Sequence, residues 1–259
     1  MLRVYHLLIG LILLILTPIV FKFVHPNSAT NKLQTNPVRQ PQPVATLTQT
    51  NSASKPTEGN IWKSVLGKTP TPPGWKVEPC EGNAPLLCVS SQGKVLGTVE
   101  MQVYPLANQP NFQKMLVAAG IPPGAKVDLQ SPNYQTQVLT ALNAWVADHY
   151  AILSKDLRSA YGVSVAPPQE AGISFSPQPP QQVPFGMLHG MRYAFTGIQQ
   201  GGKVYEQNLG YVAFDGASLY VIQTAFDPAA KTGKFEKAEN FELIESYLSA
   251  IVADLRLPK

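Results

Sequence analysis

Few side chains in this sequence could do chemistry, and their spacing decides what chemistry that would be. Asp148 and His149 adjoin, a pair that would join an acid to a base, and His189 follows further on. Successive residues on a helix point about 100° apart, so Asp148 and His149 do not face one another there. His149 falls instead on the apolar stripe of Leu142 and Trp145, which predicts a satisfied core or boundary histidine. His189 alternates with strand-forming residues and has no carboxylate near it in sequence. Gly162-Val163-Ser164-Val165-Ala166 imitates a nucleophile elbow, a motif that needs a strand before it and a helix straight after. Here a helical pattern precedes and Pro167-Pro168 follows. Glu236, Glu239, Glu242 and Glu245 recur every third residue and read as a solvated helical stripe. A calcium site would need oxygen ligands converging from a loop. There is no phosphate-cradling loop and no G-x-G-x-x-G. The expected catalytic, cofactor-binding and metal-binding residues are therefore none.

Cys80 and Cys88 are the two cysteines, spaced wrongly for a zinc ribbon or a C-x-x-C redox pair. Glu81-Gly82-Asn83-Ala84-Pro85 between them is a turn signal. A turn there would set the thiols face to face across a hairpin, and an oxidising compartment would preserve the disulfide. The other reading is two small buried hydrophobes that never meet.

The formal charge of +4 is carried ahead of the domain. Arg3, Lys22, Lys32, Arg39 and Lys55 precede residue 59 with only Glu58 against them, leaving 15 basic and 15 acidic residues after it. A neutral domain lacks the clustered basic surface that phosphate binding needs, so no nucleic-acid partner is expected.

These candidates must be positioned by elements, and the first element is apolar. Val4 to Phe21 is a run of 18 residues without formal charge. With Phe23 and Val24 it approaches the ~20 residues of a bilayer crossing, and Lys22 can snorkel at that end. The competing reading, a cleaved signal peptide, has a shorter apolar core and a small-x-small site. Asn27-Ser28-Ala29 meets that requirement poorly. A signal anchor over 1–25 is expected. A strict count of flanking positive charges would leave the domain in the cytosol, whereas short signal anchors usually lead a domain across. Export to a periplasmic or thylakoid-lumen side is the reading taken. Residues 26–58, rich in Pro, Gln, Thr and Asn, have no apolar period and read as a disordered linker.

Residues 59–259 carry the domain. Strands are predicted at Gly74–Glu78, at Leu86–Ser90 and at Val95–Tyr104. In the third, Val95, Val99, Met101 and Val103 share one face, and Thr98, Glu100 and Gln102 the other. Helices follow over Asn111–Ala119 and Tyr134–Tyr161, then a Pro-rich loop over Ala166–Pro184. Such a loop reads either as a stiff connection or as an extended ligand for a partner's groove. Strands at Met187–Ile198, Val204–Phe214 and Leu219–Phe226 form a meander turning at Asp215-Gly216. A helix over Phe235–Leu255 closes the chain, with Phe241, Ile244, Leu248, Ile251, Val252 and Leu255 on one stripe. The order predicts α+β, an antiparallel sheet covered by helices.

Trp75-x-Val77, the Tyr193-x-Phe195 strand, the Asp215-Gly216-x-x-Leu219-Tyr220-Val221-Ile222 hairpin and the closing helix together resemble the PsbP/Mog1-type α/β/α sandwich over roughly residues 60–259. The N-terminal composition is similar to that of cyanobacterial envelope or thylakoid proteins. The resemblance implies an accessory or binding module. The chain is thus expected to be a non-enzymatic, membrane-tethered accessory or interaction domain with a protein partner. The alternative is a small-molecule or lipid-binding domain, or an enzyme of unrecognised type, with a pocket between sheet and helices.

Overall fold

Three runs near the C-terminus alternate or string together apolar residues, and they pair in succession within the sheet. β6 (Leu188–Gln199), β7 (Val204–Phe214) and β8 (Ser218–Phe226) are joined antiparallel. The Asp215 carboxylate holds the β7–β8 turn by accepting from the Ala217 and Ser218 amides (2.8 and 2.7 Å). Gly216 supplies the positive φ of 97° that the turn requires.

These strands belong to a computed structural model that describes residues 59–160, 173–199, 201–230 and 233–258, all within the unit Thr46–Lys259. The expected membrane helix, the linker and the Gly162–Ala166 segment lie outside the described residues. Among the described residues, no helix is long and apolar enough to cross a membrane.

β1 (Trp75–Pro79), β2 (Leu86–Ser91) and β3 (Lys94–Pro105) form a second meander. β3 pairs β8, and the order across the sheet is β1-β2-β3-β8-β7-β6-β4. The expected alternation in β3 holds from Val99 onward. A register shift at Val89/Ser90 breaks it earlier, so Val95 is 55% exposed and Leu96 packs against the core instead.

The Pro-rich loop is corrected in its described part. β4 (Ile173–Pro177) and β5 (Gln181–Phe185) lie end to end along the same edge of β6. An edge strand needs partners on one side only, so its prolines remove no ladder bond the sheet depends on. The break between the two strands, Gln178-Pro179-Pro180, is closed from a helix. The Tyr150 hydroxyl is shared between the Gln178 and Ala194 carbonyls (2.8 and 3.0 Å).

Among the described residues four α-helices accompany the sheet: α1 (Trp62–Val65), α2 (Pro110–Ala118), α3 (Pro132–Ala160) and α4 (Ala238–Ala253). The sheet carries an apolar cluster on each face. On one, Trp62 and Val65 of α1 and Phe241, Ile244, Leu248, Ile251 and Val252 of α4 meet Leu87, Val99, Met101, Tyr211 and Ile222. On the other, Phe112 and Leu116 of α2 and Val138, Leu142 and Val146 of α3 meet Met191, Tyr193, Val212, Phe214 and Val221. Each side chain so buried contributes roughly 1.5–3 kcal/mol. β7 and β8 are consequently buried on both sides, which is why Leu219-Tyr220-Val221-Ile222 is a continuous apolar run. The protein is α+β, an eight-stranded antiparallel sheet with helices.

The second cluster stops short. It takes nothing from β1 or β2, and from β3 only Tyr104. On that half of the face the strands carry Lys76, Glu78, Ser90, Thr98, Glu100 and Gln102, with Leu86 and the disulfide-bonded Cys88 among them. A sheet face without a packed layer carries polar side chains.

Candidate functional site

At the step between the helix-covered and open halves, four strands align one polar row. Glu100 of β3 stands opposite Gln223 of β8, Gln223 opposite Gly210 of β7, and Gly210 opposite Tyr193 of β6. Gly210 is the reason the row closes. A Cβ there would overlap the Tyr193 ring, so only glycine lets that ring lie across β7 with its hydroxyl reaching Gln223. The Gln223 side-chain nitrogen then donates to the Tyr193 hydroxyl (3.2 Å) and contacts Nε2 of His149 (3.1 Å).

That geometry sets the histidine's proton. An amide nitrogen only donates, so His149 Nε2 accepts and the ring carries its hydrogen on Nδ1. α3 brings Trp145 one turn before His149, and the rings stack at 4.8 Å and 11°. The Tyr193 edge meets both rings. Burial under this stack lowers the His149 pKa to about 4, with the Asp148 charge opposing. The imidazole is neutral at physiological pH. Burial raises the Tyr193 hydroxyl well above its ordinary range, against the Gln223 bond. Burial and then the Glu100 charge push Tyr104 to about 12. Glu100 itself accepts from Gln102 (2.6 Å).

His149 is poorly set for proton transfer at neutral pH. A general base works best with a pKa near the operating pH and a free lone pair. His149 has a pKa of about 4 and its lone pair faces a donor. What the row offers outward is a carboxylate, two side-chain amides and the open strands beside them.

The other candidates fall apart from this row. Asp148 is exposed and lines an open depression of about 390 Å³ between α2 and α3, with Asn111, Lys114, Met115 and Ala118. His189 is exposed on β6, four residues or about 13 Å along the strand from Tyr193. The expected acidic stripe is corrected at one position. Glu236, Glu239 and Glu242 are exposed, but Glu245 is half-buried and paired with Arg192 of β6. Among the described residues no three His, Cys, Asp or Glu side chains gather as a metal site. Cys80 and Cys88 are bonded (S–S 2.02 Å) where the chain leaves β1 and enters β2.

Gln223 and Gly210 are the residues that sequence reading passed over. One signal for them existed, since a glycine inside a strand marks a bulge or a close approach. No family model and no curated protein sequence matches the chain.

Proposed function

We propose that this is a non-enzymatic accessory domain, tethered to a membrane through its N-terminal segment, that docks a protein partner on the open half of its sheet. The observation that carries this reading is the half-face that no helix covers among the described residues. It presents Lys76, Glu78, Ser90, Thr98, Glu100 and Gln102 from three adjacent strands, bounded by the α3 wall at His149 and Trp145. An ordered polar surface beside a rigid wall suits protein recognition, where a polar rim and aromatic groups combine. The engagement of His149, Tyr150 and Tyr193 in internal hydrogen bonds supports the same reading. So does the resemblance to the PsbP/Mog1-type α/β/α sandwich, whose members act mainly as accessory modules.

Co-purification of the full chain from detergent-solubilised membranes tests it. Lys76 and Glu78 pair at 2.7 Å, so a Lys76→Glu/Glu78→Lys exchange keeps the internal pair while altering the surface. A stoichiometric partner lost in that variant is the expected result. A chain that runs as a monomer with no partner counts against the proposal. Export to the periplasmic side is tested with an impermeant thiol reagent after reduction: labelling in intact cells is expected, and labelling only after permeabilisation would leave the cytosol or an internal lumen, which labelling of sealed thylakoid vesicles separates.

The depression between α2 and α3 favours a second reading, a small-molecule site. Lys114 and Asp148 put opposite charges on its rim and Met115 an apolar patch inside. Saturable binding there, abolished by Lys114→Met, would move the assignment to a ligand-binding domain.

A further inference from the structure

The residues at which the described chain begins are fastened to one small ring. Cys80 to Cys88 is closed by the disulfide and turns through Glu81-Gly82-Asn83-Ala84-Pro85. Four of its carbonyls point at the segment 60–63. The buried Asn60 donates from its side-chain nitrogen to the Cys80 and Leu86 carbonyls (3.2 and 2.7 Å), while its oxygen accepts from the Trp62 amide (3.1 Å). Trp62 Nε1 donates to the Pro85 carbonyl (3.2 Å). Lys63 Nζ reaches the Gly82 carbonyl at 3.5 Å. With these bonds made, the Trp62 side chain is fully buried in the α1/α4 cluster. The far end of the same strap is tied elsewhere. Lys68 and Thr69 bond the Asp254 carboxylate (2.8 and 3.0 Å), and the Arg256 amide donates to the Val65 carbonyl (2.8 Å).

We propose that the Cys80–Cys88 ring is a redox-controlled clasp for the strap 59–66. Residues 86–88 of the ring pair with β3 and the Pro85 carbonyl also accepts from the Met101 amide (2.9 Å), so the covalent closure acts on the other limb, Cys80–Ala84, whose alternative conformations it removes. The Cys80 carbonyl that receives Asn60 and the Gly82 carbonyl that receives Lys63 are thereby fixed against the β2 limb. A dithiol reductant delivers two electrons and two protons, cleaves the S–S bond to two thiols and becomes a disulfide itself. Once the ring opens, the Cys80 carbonyl no longer converges with those of Pro85 and Leu86, Asn60 loses one of its two acceptors, and the strap loosens together with Trp62. The reduced protein then carries an unfastened strap on an otherwise folded sheet, because Leu87 stays paired with Val99 in the core and, among the described residues, no hydrogen bond joins β6–β8 to the ring. The clasp works whether or not the open half-face is a partner site.

Hydrogen exchange followed by mass spectrometry on the full chain in detergent, with and without dithiothreitol, tests this. Thiol alkylation reports how completely the bond is reduced. A Cys80→Ser/Cys88→Ser chain repeats the measurement without dependence on reductant access. In both reduced and serine chains, peptides spanning 59–66 are expected to exchange at least tenfold faster while 188–226 keeps its rate. An oxidised Asn60→Ala chain should show the same local release. Unchanged exchange at 59–66 in the serine chain overturns the proposal. Uniform acceleration over 59–66 and 188–226 alike also overturns it, since the bond would then stabilise the domain as a whole.

Discussion

Part of the weakening of this domain by acid should come through His149, and the size of that part follows from the stack over its ring. Its pKa is held at about 4 against an ordinary 6.5, chiefly by burial. A folded state that resists protonation loses stability as pH falls through the unfolded value, because the unfolded chain takes the proton first. The loss therefore begins near pH 6.5, grows as pH falls, and levels off below about pH 4. At about 1.4 kcal/mol per pH decade, the gap corresponds to about 3 kcal/mol. His149→Phe isolates this contribution. Phenylalanine keeps a ring on Trp145, and the lost partner of Gln223 costs about 1 kcal/mol at any pH. Chemical denaturation of both chains at pH 7, 6, 5 and 4, followed by tryptophan fluorescence, gives the comparison. The wild-type chain should fall by about 3 kcal/mol more than the variant between pH 7 and pH 4. Parallel pH profiles for the two chains would refute the account of the stack.

Two further substitutions probe the frame around the row. Gly210→Ala forces a methyl into the Tyr193 ring and should destabilise by about 1–3 kcal/mol; combining it with Tyr193→Ala should cost less than the sum of the two, read by a double-mutant cycle in urea. Tyr150→Phe removes the hydroxyl that closes the break at Gln178-Pro179-Pro180, which should cost about 1 kcal/mol and speed amide exchange at Gln178; an unchanged rate there would mean the prolines hold the edge unaided.

Local pattern carried much of this fold. The period of two in β3, the Asp215-Gly216 turn and the α4 stripe each reflect one element meeting one surface, and each is legible without knowing what lies opposite. The edge strands were hidden because prolines normally argue against a ladder, and only the one-sided pairing of β4 and β5 with β6 makes them tolerable. Glu245 looked solvated because its partner, Arg192, lies 53 residues away. The same holds for the row. His149 was placed on its stripe beside Trp145, but the amide that fixes its tautomer comes from β8, 74 residues later. Nothing local to Gln223 or Gly210 announces that they meet.

The proposed docking of a partner on the open half of the sheet has a direct test. A photo-crosslinking residue placed at Gln102, on that half, and at Leu243, exposed on α4 at the opposite face, tests it in full-length chain in native membranes. Capture of one discrete partner from position 102 and none from position 243 is the predicted result. Equal capture from both positions, or capture from position 243 alone, would contradict it.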